Sequence, residues 1–113
     1  KIAQMSADHS LVAEMVRSGR LTKAEAKTYP GRNLITRAVG VDSSVEADVY
    51  EIKMHEGQTL LLCSDGLSGP VTDAEIAAAV SQAPTMEQAC TRLIELACKA
   101  GGNDNITVVL YTK

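Results

Sequence analysis

The sequence contains no phenylalanine and no tryptophan, and only three tyrosines in 113 residues. Its core must therefore be built from Leu, Ile, Val, Ala and Met, and it lacks the aromatic platforms on which single-stranded nucleic acids stack. Clustered positive charge is missing as well. The net formal charge is -3, and no basic run is present to attract nucleic acid or an acidic membrane surface. No apolar stretch approaches the ~20 residues that span a bilayer, and no leader pattern stands at the start. The three cysteines, Cys63, Cys90 and Cys98, are odd in number, fall in apolar patterns and lack CxxC spacing. Buried free thiols in a reducing cytoplasm are expected, rather than a metal or redox role.

What is present suits one domain with a real core. The hydrophobic fraction is 45% and the charged fraction 22%, ordinary values for a globular protein. Leu11, Val12, Met15 and Val16 form a helical stripe that ends at Gly19. Thr22 and Glu25 have capping-box spacing, and Pro30 closes the short helix that follows. "KIAQMS" and "SVEADVYEIKM" alternate as strands do, "HEGQ" reads as a turn, and "TLLLC" is a continuous apolar run of the kind covered on both faces. Thr72 with Glu75 and Thr85 with Gln88 repeat the capping spacing and open two helices. The second carries a stripe of Met86, Cys90, Leu93, Ile94 and Ala97. Gly101 and Gly102 suit the left-handed turn that ends a helix. "ITVVLY" is a β-branched strand. The order predicts an α+β domain: a helical segment over about 10–40, then a layer over 45–113 in which strands 45–54, 59–64 and 106–112 form one antiparallel sheet with helices on one face.

Two apolar segments carry an Asp at the tip. Asp65 follows "TLLLC" and Asp104 precedes "ITVVLY". If these strands pair antiparallel, both residues come to one end of the sheet beside Gly66, Gly101 and Gly102. Carboxylates gathered in one place call for a cation or a proton between them, and hard divalent ions take such oxygens. Each motif also has a plainer reading: Asp65-Gly66 is good turn chemistry, and Asp104 suits a turn or cap after a helix. Similarly, Asp8 suits a helix N-cap, His9 and His55 suit the surface, and Arg32 and Arg37 are either surface arginines or contacts for phosphate or acidic groups.

Taken in order, "DHSLVAEMVRSGRLTKAEA", "RNLITRAVG", "LLLCSDGLSGPVTDAEI" and "GGNDNITVVL" resemble the C-terminal half of the PPM family, the metal-dependent type 2C protein serine/threonine phosphatases of bacterial type. The resemblance runs over the whole chain and implies that the segment over about 10–40 is flap-like. It implies half of an αββα sandwich with Mn²⁺ or Mg²⁺ held between two sheets, two or three ions in the complete domain. It also implies hydrolysis of phosphoserine and phosphothreonine on proteins by a metal-activated water, without a covalent phosphoenzyme. By motif, Asp65 and Asp104 would be metal ligands, Gly66 and Asn105 neighbours of that metal, and Asp8 a third-metal candidate. The resemblance further implies phosphoprotein substrates, an opposing Ser/Thr kinase and a cytoplasmic setting.

The family's N-terminal motifs do not precede Lys1, so this stretch of sequence is expected to be inactive by itself. It would also leave an apolar sheet face that favours pairing with the missing half or with a second copy. A rival reading is a non-catalytic binding or assembly module that keeps half of the phosphatase fold.

Overall fold

The computed structural model describes all 113 residues. Five helices and two strands follow in the order α1 (Leu11–Arg17), α2 (Lys23–Ala26), β1 (Thr59–Cys63), α3 (Asp65–Ser68), α4 (Asp73–Gln82), α5 (Met86–Lys99) and β2 (Val108–Thr112). They divide between two units. One comprises Lys1–Ala3 with Ile52–Lys113, the other Gln4–Glu51.

In the larger unit, β1 and β2 pair antiparallel, with Thr59 opposite Thr112, Leu61 opposite Leu110 and Cys63 opposite Val108. Alternation then sorts the side chains. Leu61, Val108 and Leu110 pack against a buried cluster of Leu67, Val71, Ile76, Ala79, Leu93 and Ala97. On the opposite face Leu62, Val109 and Tyr111 are each more than half exposed. The strand expected to be covered on both faces is thus covered on one.

The helices start where the capping residues place them. Thr72 accepts from the Glu75 amide while the Glu75 carboxylate accepts from the Thr72 amide, a complete capping box. Thr85 accepts from the Gln88 amide alone. The centre of the α5 stripe is Ala89, Leu93 and Ala97, with Met86, Cys90 and Ile94 half-buried at its flanks. At its end Gly102 adopts φ 58° and donates to the Ala97 carbonyl at 3.1 Å, a left-handed closure that a side chain would disfavour.

In the other unit, Ser10 caps α1 by accepting from the Ala13 amide. Thr22 and Glu25 complete a capping box on α2. A single bridge joins Ser10 to Ile35.

Three expectations are corrected. Residues 45–54 form no strand, and the sheet has two strands rather than three. The alternation there has no buried side, since Val45, Val49, Tyr50 and Ile52 are all exposed. An apolar/polar pattern makes a strand only when a ladder partner and a face to bury are present. "KIAQMS" likewise forms no strand, although Ile2 packs on the core. The cysteines are not buried: Cys63 and Cys98 are exposed and Cys90 is half-buried, none in a disulfide. Cys98 stands beside the apolar stripe of α5 rather than on it, and Cys63 closes the open end of β1.

Candidate functional site

The end of the sheet at Cys63 and Val108 is where the two Asp-bearing motifs meet. The ladder runs one residue past the strands, with the Ser64 amide donating to the Thr107 carbonyl at 3.0 Å. There the chain leaves β1 and turns directly into α3, whose first residue is Asp65. A regular continuation of the register would place Asp104 opposite Leu67, not Asp65. The turn into α3 and the close approach of the "NDN" segment change that geometry.

Two residues make the approach. Gly66 is buried against the Asn105 backbone. A β-carbon on it would overlap the Asn105 carbonyl oxygen, lie 2.9 Å from the carbonyl carbon and 3.3 Å from Ile106 Cγ1. Ser64 sits at the N-cap position of α3 but does not cap the helix. Its hydroxyl instead donates to the Asn105 carbonyl at 2.9 Å and accepts from the Thr107 amide at 2.9 Å. Asp65 is thus bracketed by two residues that touch the Asn105–Thr107 backbone, and Asp104 immediately precedes that stretch. Asp104 Oδ1 accepts from the Asn105 amide at 2.7 Å.

Neither carboxylate enters an ion pair. Both pairs in the chain belong to Asp48. Asp65 and Asp104 are exposed hard oxygen donors beside a cradle that only glycine fits, the donor chemistry that suits Mg²⁺ or Mn²⁺. Nowhere do three or more His, Cys, Asp or Glu side chains gather as a metal-binding group, so these residues fit as part of a ligand set and not as a whole one.

In the Gln4–Glu51 unit, Asp8 is exposed and its Oδ1 accepts from Gln4 Nε2 at 3.1 Å. It does not cap α1. Ser10 does, because the helix begins two residues later than an Asp8 cap requires. Arg32 is exposed. Arg37 is committed, with Nη1 donating to Asp48 Oδ1 at 3.0 Å and to the Glu46 carbonyl at 3.2 Å. Arg37 also lines a cavity of about 210 Å³ with Thr36, Asp42, Ser44 and Glu46.

Asp48 is the residue that sequence reasoning missed. Its carboxylate gathers His9 Nε2 at 2.7 Å, Arg37 and the Tyr50 hydroxyl at 3.3 Å, and that hydroxyl accepts from the Ala7 amide at 3.1 Å. The His9 hydrogen bond first, then that of Arg37, hold the Asp48 carboxyl below the usual carboxylate range. No local spacing could reveal the His9 and Arg37 contacts, because those partners lie 39 and 11 residues away. His55 is exposed at the turn before β1, as expected.

Known proteins match nearly the whole chain. The sequence pattern of the family described as Stage II sporulation protein E (SpoIIE) matches residues 5–112. The serine/threonine phosphatase stp of Listeria innocua is 40% identical over 110 residues, covering 97% of this chain and 44% of the relative. The crystal structure of the Mycobacterium tuberculosis serine/threonine phosphatase PstP/Ppp superposes with a TM-score of 0.89 at 42% identity, over 97% of this chain and 46% of that one. A structure of the catalytic domain of PstP in complex with two manganese ions superposes at 0.84 with 40% identity, over 97% and 44%. The chain thus spans less than half the length of the proteins it matches. Within that span it belongs to the SpoIIE family, and it is similar to bacterial serine/threonine phosphatases.

Proposed function

We propose that these 113 residues supply one part of the metal centre of a protein serine/threonine phosphatase. The observation that carries this reading is the seating of "SDGL" against "GGNDN" through Ser64, Gly66 and Asn105. Asp65 and Asp104 would hold Mn²⁺ or Mg²⁺ there, with Gly66 and Asn105 beside it. Bound metal supplies charge neutralisation for a phosphoryl group and a water acidic enough to ionise near neutral pH. Two carboxylates satisfy a minority of the roughly six oxygens such an ion takes. The remaining ligands would come from outside these residues, and Asp8 is the candidate within them for a third ion.

The substrates in this reading are phosphoserine and phosphothreonine proteins, with a Ser/Thr kinase as counterpart and the cytoplasm as setting. No helix is long and apolar enough to cross a membrane. Of the two candidate substrate arginines, exposed Arg32 has its guanidinium available, whereas Arg37 is held by Asp48. The open sheet face of Leu62, Val109 and Tyr111 suits cover by the remainder of a family-length domain, or by a second copy where that is lacking.

The test is a phosphate-release assay on a phosphothreonine peptide with Mn²⁺, with and without chelator. The 113 residues alone should show no useful turnover, because an attacking water that is not oriented forfeits several orders of magnitude. With the rest of a family-length domain fused or added in trans, activity should appear and depend on Mn²⁺. It should fall severely in Asp65→Ala and in Asp104→Ala, and stay near wild type in His55→Ala. Wild-type rates in both Asp variants would remove them from the centre. The second reading is a non-catalytic binding or assembly module that keeps half of the phosphatase fold. That reading would stand if the intact protein, with all its residues, bound no Mn²⁺ and released no phosphate.

A further inference from the structure

We infer that Ser64 is a positioning residue for the metal site, fixing the offset between Asp65 and Asp104 through its hydroxyl. The inference rests on the metal-site reading above and extends it to a residue that donates nothing to a metal itself.

An N-cap serine ordinarily spends its oxygen on the second or third amide of its own helix. Ser64 holds the N-cap position of α3 with extended backbone, φ -79° and ψ 165°, yet makes no such bond. Both capacities of its hydroxyl cross to the segment that leads into β2. It donates to the Asn105 carbonyl and accepts from the Thr107 amide, each at 2.9 Å. Its own amide donates to the Thr107 carbonyl. One side chain thus clamps the backbone on both sides of Ile106, where the sheet register by itself would leave Asp104 opposite Leu67. Asp65 is bonded covalently to the clamp, and Asp104 to the residue it holds. Any slack at Ser64 therefore becomes slack between two prospective ligands. An ion that demands near-octahedral geometry tolerates little of it, and residues that orient ligands typically matter 10- to 100-fold for metal affinity.

The experiment measures Mn²⁺ binding to the intact protein by titration calorimetry and by the Mn²⁺ EPR spectrum, with thermal melts alongside. Wild type, Asp65→Asn, Ser64→Ala and Ser64→Thr are compared. Asp65→Asn should abolish the site. Ser64→Ala should weaken binding about tenfold or more and broaden the EPR lines, at a temperature where the melt shows it folded. Ser64→Thr, which keeps the hydroxyl, should restore both readouts. Unchanged affinity and spectrum in folded Ser64→Ala, with Asp65→Asn still abolishing binding, would overturn the role of Ser64 and leave the metal site standing. Unchanged binding in Asp65→Asn would overturn the metal site and the role of Ser64 with it. If Ser64→Ala does not fold, Ser64→Cys takes its place. Its weaker hydrogen bonding should give an intermediate loss, and wild-type affinity there would refute the inference.

Discussion

Gly66→Ala isolates the contact on which the candidate site depends. Gly66 lies in α3, where an alanine would ordinarily help: replacing glycine in a helix stabilises by roughly 0.5–1 kcal/mol. Here the new methyl would overlap the Asn105 carbonyl oxygen and lie 2.9 Å from its carbon. Those are backbone atoms, and Asn105 is held in turn by the Ser64 hydroxyl, so no side-chain rotation relieves the clash. Forcing a methyl into a filled site typically costs about 1–3 kcal/mol, more where backbone must shift. The clash outweighs the propensity gain, and a net loss of about 1–2 kcal/mol is expected. A domain of this size should then melt roughly 4–12 °C lower. Gly31→Ala is the control, since its β-carbon would meet only side-chain atoms at 3.4 Å and beyond, and it should change little. The assay is thermal denaturation followed by far-UV circular dichroism, with Mn²⁺ binding measured below the transition. A Gly66→Ala protein that melts with wild type and binds Mn²⁺ equally well would show that the "SDGL" and "NDN" segments are not in contact as described, and the argument for the site would fail with it.

Leu93 is fully buried at the centre of α5 and of the core, so Leu93→Ala should cost about 2–5 kcal/mol in a denaturant melt. Thr72→Ala removes both the acceptor for the Glu75 amide and the hydroxyl that donates to the Glu75 carboxylate; a loss of about 1 kcal/mol is expected by the same measurement. The pH dependence follows from Asp48, whose folded pKa lies below its ordinary value of 3.8. A group of this kind contributes stability that is fully present above the unfolded pKa and is lost as pH falls through the folded one. Acid melts of wild type should therefore lose this contribution below about pH 4. Asp48→Asn should lack that part of the acid limb while being less stable at neutral pH, and an identical acid limb in the variant would refute the assignment.

How legible this molecule was depended on the sequence distance over which each interaction acts. Helix starts were readable to the residue at Thr22, Thr72 and Thr85, because a cap is a contract between positions three apart. The pairing of "TLLLC" with "ITVVLY" was readable because both runs are apolar and the elements between them leave few other partners. The lack of a strand at 45–54 was not. Alternation states which side chains could share a face, but it does not supply the neighbour that makes a strand, and the carboxylate of Asp48 goes instead to His9, Arg37 and Tyr50. Asp8 failed as a cap for a smaller reason: two capable residues stood nearby, and Ser10 took the role. The site itself was half legible. Asp65 and Asp104 announced themselves as carboxylates at the tips of apolar runs, and antiparallel pairing brought their segments to one end of the sheet. Pairing alone, however, leaves Asp104 opposite Leu67. What seats the two motifs against each other is a glycine with no room for a methyl and a serine hydroxyl that ignores its own helix. Gly66 read in the sequence as part of a turn, and Ser64 carried no signal of its own. The Ser64 contacts reach 41 and 43 residues away and the Gly66 contact is to the same Asn105 backbone, and such contacts exist only once the sheet has formed.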